Sequence, residues 1–203
     1  SVPGRSGKYV VVGAHYDHLG MGGPGSGSRR MDTLAIHNGA DDNASGVAGM
    51  LYLAKQFAKA KDLEHGVIFV AFGAEERGIV GSKHFAGNLQ ELELSGRKTI
   101  SEKDIVAMVN FDMIGRLRGK AITLGGTGTA KEMDEIIANA EKMYGNALKV
   151  TRSVQGHGPS DHSAFYAKNI PVFYLTTGAT EDYHTPDDDA HKLNYPGIDS
   201  VAR

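Results

Sequence analysis

Lys8-Tyr9-Val10-Val11-Val12-Gly13-Ala14-His15 is the stretch whose reading decides the fold. It is a short, continuous apolar run, rich in β-branched residues. A run of that length and type reads as a strand covered on both faces, as in a largely parallel sheet. The pattern returns at Gly66 to Phe72 and at Asp104 to Phe111, and in shorter form at Ala121 to Leu124, Leu148 to Arg152 and Pro171 to Leu175. Helical spacing separates these runs. Val47, Met50, Leu51, Ala54, Phe57 and Ala58 share one predicted apolar face, with Asn43 or Ser45 as its cap. Ile79 to Phe85 and Lys131 to Tyr144 read as further helices, and Ser160-Asp161-His162-Ser163 as a helix start leading to Phe165 and Tyr166. Strands alternating with helices predict an α/β fold: a three-layer α/β/α domain with a mixed, mostly parallel central sheet.

No repeat or linker divides residues 1–203, so a single domain is expected. The chain begins just ahead of its first strand, and Ile198-Asp199-Ser200-Val201-Ala202-Arg203 reads as the first turn of a helix, which suggests trimming at both ends. No signal peptide is visible at Ser1. Hydrophobic residues at 40% and charged residues at 23% set disorder aside. No apolar run approaches the ~20 residues of a transmembrane helix. A net charge of -2 gives no reason to expect nucleic acid or a membrane surface as partner. The lack of cysteine excludes disulfides, thiolate metal sites and cysteine nucleophiles. Two glycine-rich segments do not bind nucleotides on this reading. Gly20 to Arg30 lacks the Gly-Lys-Ser/Thr ending of a phosphate loop, and the turn Gly125 to Ala130 has no acidic ribose partner after a following strand.

The polar residues at the strand ends carry the chemistry. His15 and Asp17 follow the first strand, Glu75-Glu76 the second and Asp112 the third, where open α/β sheets place their ligands. Gly39-Ala40-Asp41-Asp42-Asn43-Ala44-Ser45-Gly46 sets two adjacent carboxylates ahead of a helix, and His184 lies in a polar loop after the last strand. Each has an ordinary explanation alone: a helix cap, a solvated pair opening a helix, a turn residue. Together they favour a two-metal hydrolase site, because buried adjacent carboxylates need a cation or a shared proton. Two metals ~3.5–4 Å apart activate water and polarise a carbonyl. Imidazole and carboxylate donors suit zinc, and a carboxylate can bridge two ions. A non-ligating carboxylate then serves as general base and general acid. Two divalent ions against three carboxylates and one hydroxide come out near neutral, which makes their burial tolerable. On this reasoning alone either Asp41 or Asp42 is the bridge.

His15-Tyr16-Asp17, Gly39 to Gly46, Gly73-Ala74-Glu75-Glu76, Asn110-Phe111-Asp112-Met113, Ser160-Asp161-His162 and Tyr183-His184 occur in that order. Taken together they resemble the co-catalytic zinc aminopeptidases of peptidase family M28, over most of the chain. The resemblance implies two Zn2+ ions, replaceable by cobalt or manganese. His15 and Asp112 would bind one and Glu76 and His184 the other, with Asp42 as the bridge. It makes Glu75 the general base acting on a bridging water, Asp17 a carboxylate that orients His15, and Tyr183 a phenol for the oxyanion. Asp161 receives no role. The substrate implied is a peptide with a free N-terminus. The resemblance is compatible with a secreted or periplasmic setting, and the sequence does not indicate an oligomeric state. Position 41 is Asp where other members carry Asn, and the N-terminal strands and final helix of such domains are not recognisable.

Other readings of the same motifs are a carboxypeptidase or dipeptidase, a single-zinc glutaminyl cyclase and a non-catalytic receptor-type domain. His15 speaks against the cyclase, and the intact ligand set against the receptor. His18, His37, His65, His84, His157 and His191 are read as surface or local hydrogen-bonding residues. The Asn43-Ala44-Ser45 sequon is rejected, since a glycan there would block the site.

Overall fold

The strand runs seen in the sequence all fall in one sheet of the computed structural model, which describes residues 1–94, 99–145 and 147–203. In chain order the elements are β1 (Tyr9–His15), α1 (Gly46–Phe57), β2 (Gly66–Phe72), α2 (Val80–Gly87), β3 (Ile105–Phe111), β4 (Ala121–Gly125), α3 (Met133–Tyr144), β5 (Lys149–Arg152), α4 (His162–Tyr166), β6 (Val172–Thr176) and α5 (Tyr195–Ala202). The sheet order is β2-β1-β3-β6-β4-β5. Every neighbouring pair is parallel except β4 and β6, which run antiparallel. The sheet is therefore mixed and mostly parallel, as expected.

β1 shows why the opening run lacks polar alternation. Tyr9 and Val11 face one core with Phe72, Met108, Ala86 of α2 and Phe165 of α4. Val12 and Ala14 face the opposite core with Met50 of α1 and Ile198 and Val201 of α5. Both faces of the strand are covered, so both sets of alternating residues must be apolar. Gly13 sits where a Cβ would run into the Phe72 ring.

Four details depart from the sequence reading. Leu51 of α1 points to solvent and is 58% exposed, whereas Leu53 packs inward with Met50 and Phe57. Residues 46, 49, 50, 53 and 57 form the inward stripe at spacings of three and four, and Leu51 lies about 100° off it. Gly49 lets that stripe approach Ile114 closely. Ala58 lies beyond the end of α1 and is exposed. The last helix begins at Tyr195 rather than Ile198, because Asn194 accepts a hydrogen bond from the Gly197 N–H (2.9 Å) and Pro196 suits a first turn. α3 starts at Met133, two residues later than expected.

The C-terminal ends of β1, β2, β3 and β6 share one edge of the sheet, and the site lies along it. Among the described residues no helix is long and apolar enough to cross a membrane.

Candidate metal centre

Asp42 is placed by its neighbours on both sides. The Asp188 carboxylate accepts the backbone N–H groups of Asp41 (3.0 Å) and Asp42 (3.0 Å). The Asn43 amide donates to the Phe111 carbonyl (2.9 Å), and its oxygen accepts from the N–H groups of Met113 (3.1 Å) and Gly46 (3.0 Å). Asn43 thus caps α1 and ties the Asp42 loop to the end of β3, where Asp112 stands. Ser45 instead donates its hydroxyl to the Asp41 carbonyl (2.7 Å). The Asp42–Asn43 peptide is cis. Asn43 is 2% exposed, so the sequon has no access to a glycan.

The five residues expected to bind metal converge on Asp42. His15 Nε2 lies 3.2 Å from Asp42 Oδ1 and 3.5 Å from Asp112 Oδ1. His184 Nε2 lies 3.2 Å from Asp42 Oδ2 and 3.2 Å from Glu76 Oε2. The far nitrogens face main-chain carbonyls: His15 Nδ1 meets Asp17 O (3.1 Å) and His184 Nδ1 meets Gly27 O (3.1 Å). An Nδ1–H donated to a carbonyl leaves a bare lone pair at Nε2, here aimed at carboxylate oxygens. Two lone-pair atoms at that distance repel unless a proton or a cation lies between them. Zinc bonds of ~2.0–2.1 Å in a tetrahedron put neighbouring donors about 3.3 Å apart, close to these spacings. Asp112 Oδ1 is also buried without a hydrogen-bond partner among the described residues. The donor set fits zinc.

Without metal, protons take that place. Burial alone would lower the His15 pKa, but Asp112 and Asp42 reverse this and raise it to about 12. Burial likewise opposes charge on His184, and Asp42 and Glu76 raise it to about 10. Asp42 and Glu76 are held below the usual carboxylate range: burial would raise them, but His15 and His184 beside Asp42, and His18 and His184 beside Glu76, outweigh it. Glu75 differs. Burial pushes it up to about 8, His15 pulls the other way, and Asp112, Asp161 and Glu76 add to the rise.

Asp17 is placed differently from the reading of the sequence. Its main-chain carbonyl faces His15, while its carboxylate accepts the N–H groups of Glu75 (2.9 Å) and Glu76 (3.2 Å) and stands 3.8 Å from His15 Nδ1. The carboxylate therefore shapes the turn after β2. Tyr183 stacks on the His184 ring at 3.8 Å between centroids. Burial raises its phenol, with Asp42 and Glu76 adding to the effect. Asp161 is fully buried, and neither carboxylate oxygen has a hydrogen-bond partner among the described residues. Burial pushes it up to about 6; nearby Ser82 acts in the other direction, but its hydroxyl points to the Ile79 carbonyl (3.2 Å).

A cavity of about 270 Å³ opens over these groups, with Glu75, Tyr174, Thr176 and Tyr183 in its wall. Two larger hollows lie elsewhere. One, about 430 Å³, is lined by Arg116 and Lys192, both already paired with Asp182; the other, about 420 Å³, is mostly apolar and lies over α1 and α5. The reactive groups gather in the smallest of the three.

Some participants were missed in the sequence. His18, read as a surface or local hydrogen-bonding residue, is nearly buried and meets Glu76 Oε1 at 2.9 Å. The only signal was its position three residues after His15. Asp188 was the middle of three consecutive aspartates in a polar loop. Nothing local marked it as the acceptor for Asp41 and Asp42, 146 residues away from the latter.

The model of peptidase family M28 matches residues 1–203. The chain belongs to that family. Aminopeptidase YwaD of Bacillus subtilis is 32% identical to this M28 chain over 196 residues, covering 91% of it and 37% of the relative. A solved zinc aminopeptidase from Bacillus subtilis superposes with a TM-score of 0.73 at 25% identity, covering all of this chain and 46% of the other. A glutaminyl cyclase from Porphyromonas gingivalis superposes with a TM-score of 0.71 at 18% identity, covering 97% of this chain and 70% of the other, a likeness of fold alone. The M28 chain spans between about a third and two thirds of the curated relatives it matches.

Proposed function

We propose that this M28 chain is the catalytic domain of a di-zinc aminopeptidase that releases N-terminal residues from peptides. One observation carries the reading: the His15 and His184 Nε2 atoms face the two oxygens of Asp42, one each, at 3.2 Å. That arrangement supports His15 and Asp112 as ligands of one zinc, His184 and Glu76 as ligands of the other, and Asp42 as the bridge. Cobalt or manganese suits the same donors. The zinc pair supplies Lewis-acid polarisation of the scissile carbonyl and acidifies the attacking water.

The chain's own groups do the rest. Glu75 ligates nothing in this scheme and faces the cavity. Its upward shift marks a carboxyl that takes up a proton readily, as a base must before it returns that proton to the leaving amine. Nearby cations would lower that affinity and leave Glu75 ionised in the resting state. The Tyr183 phenol stays protonated and can donate to the developing oxyanion. Glu75 and Asp112 offer negative charge to the free ammonium of the substrate.

The test is a panel of peptides with free and blocked N-termini, with and without a chelator. The expected result is cleavage of free peptides only, lost on chelation and restored by zinc. Glu75→Gln should lower kcat by about 10²–10⁴-fold with zinc content unchanged. Trimming of blocked peptides from the C-terminus would overturn the reading in favour of a carboxypeptidase. One zinc per chain together with cyclisation of N-terminal glutamine would favour a cyclase.

A further inference from the structure

We propose that His18 is a positioning residue for the second zinc: its Nδ1–H holds Glu76 Oε1, leaving Glu76 Oε2 turned toward His184 and Asp42. This rests on the di-zinc reading and adds a part to it.

Distance separates His18 from the ligands. The donor atoms assigned to zinc stand 3.2–3.5 Å apart, at tetrahedral-edge spacing. His18 Nδ1 stands 2.9 Å from Glu76 Oε1, an N–H···O length, and 4.0 Å from Asp42 Oδ2, too far for a shared edge. The Glu76 oxygens are thereby divided, Oε1 to His18 and Oε2 to His184. Asp17 fixes the same residue from behind by accepting its backbone N–H (3.2 Å). Glu76 is thus held at its main chain and at one oxygen, and the other oxygen is free for a metal.

Burial selects the tautomer. The His18 side chain is 8% exposed, and its Nε2 is buried with no hydrogen-bond partner among the described residues. An Nε2–H would be an orphaned donor, and it would turn the Nδ1 lone pair on the Glu76 carboxylate. The Nδ1–H tautomer satisfies Glu76 and leaves only a bare nitrogen inside, the smaller cost. The backbone makes room for the ring. A Cβ at Gly39 would stand 2.7 Å from it, and the His37 and His184 rings flank it at 6.3 and 5.8 Å between centroids.

The experiment is zinc titration of metal-stripped protein against a chromophoric chelator, with folding followed by circular dichroism. Wild type should bind two ions, and a single ion would overturn the di-zinc reading itself. In His18→Leu one of the two affinities should fall about 10–100-fold while the other is unchanged. His18→Asn carries an amide N–H near the Nδ1 position and should recover most of the loss. His18→Gln, whose amide falls near Nε2, should not. Unchanged affinities in His18→Leu would overturn the inference and leave the di-zinc reading standing. Equal losses in all three variants would make His18 a ligand, which also overturns it. Should His18→Leu fail to fold, imidazole 15N shifts of zinc-loaded wild type decide: a protonated Nδ1 supports the inference, and a metal-bound Nδ1 overturns it.

Discussion

Asp42 extends one oxygen toward His15 and the other toward His184, each at 3.2 Å, whereas Asp41 turns away and accepts the Gly115 N–H at 2.7 Å and the Ser45 hydroxyl at 3.2 Å. Substitutions in the two should therefore differ. Asp42→Ala should abolish peptide hydrolysis and disturb both zinc occupancies, while Asp41→Asn should keep a working enzyme with full zinc; activity assays and metal analysis check the split, and equal losses would refute it. Burial pushes Asp41 up to about 6, the Gly115 N–H opposing it and Asp188 adding to it. A folded-state pKa above the unfolded one means that the native state holds its proton longer, so stability is lost as pH rises from about 4 to about 6. An uncharged amide in place of this carboxyl removes that loss. In metal-stripped protein Asp41→Asn should gain stability over wild type across that window, levelling at ~3 kcal/mol above it, an order of magnitude from ~1.4 kcal/mol per pKa unit. Denaturant melts at several pH values measure it. Reading the residues alone left Asp41 and Asp42 open as the expected bridge, and only the family resemblance picked Asp42, since the different settings of the two rest on Asp188 and Gly115, both far along the chain. The role expected of Asp17 moved for a similar reason. Its position two residues after His15 was visible, but the partners of its carboxylate lie across the β1–β2 pair.

Strand ends place the chemistry at the next scale up. β1 delivers His15, β3 is followed directly by Asp112, and the turn after β2 presents Glu75 and Glu76. That much was legible, because a buried strand shows in sequence as an unbroken apolar run and its end as the first polar residue. The connections between strand and ligand were not legible. Ala74 and Met113, next to ligand segments, and His184 itself adopt left-handed backbone angles (φ 55°, 59° and 55°) that side chains disfavour. No composition cue announces such angles where glycine is absent. The start of α1 is a tight junction, since a Cβ at Gly46 would collide with the Asn43 amide and stand 2.6 Å from the Phe111 carbonyl. Gly46→Ala should push Asn43 off both Met113 and Phe111, lowering stability by about 1–3 kcal/mol and weakening zinc binding. Thermal melts and zinc titration report both losses, and an unchanged zinc affinity would separate the helix start from the site. The exposed Leu51 shows how a one-residue error in a helical stripe escapes sequence reading, because Leu51 and Leu53 are chemically identical and only packing tells them apart.

Across the whole molecule the proposed metal ligands come from separate chain segments, and zinc would act as a cross-link between them. Removing it would leave the charge of three close carboxylates opposed by imidazoles rather than by metal. Stripping with a chelator should lower the melting temperature, and zinc should restore it in proportion to its concentration over its dissociation constant. A melting temperature indifferent to zinc would contradict the site. The layer architecture followed from the alternation of strands and helices, but the reversal between β6 and β4 did not, since a short strand carries no mark of its direction. That reversal divides the sheet unevenly. β2, β1, β3 and β6 run parallel toward the proposed ligands, while β4, β5 and α3 lie beyond the seam and contribute none of them. The consequence is a difference in amide hydrogen exchange. Amides of β1 and β3 should slow when zinc binds, whereas those of β5, an edge strand with mostly exposed side chains, should exchange at the same rate with or without it, opening as a separate unit.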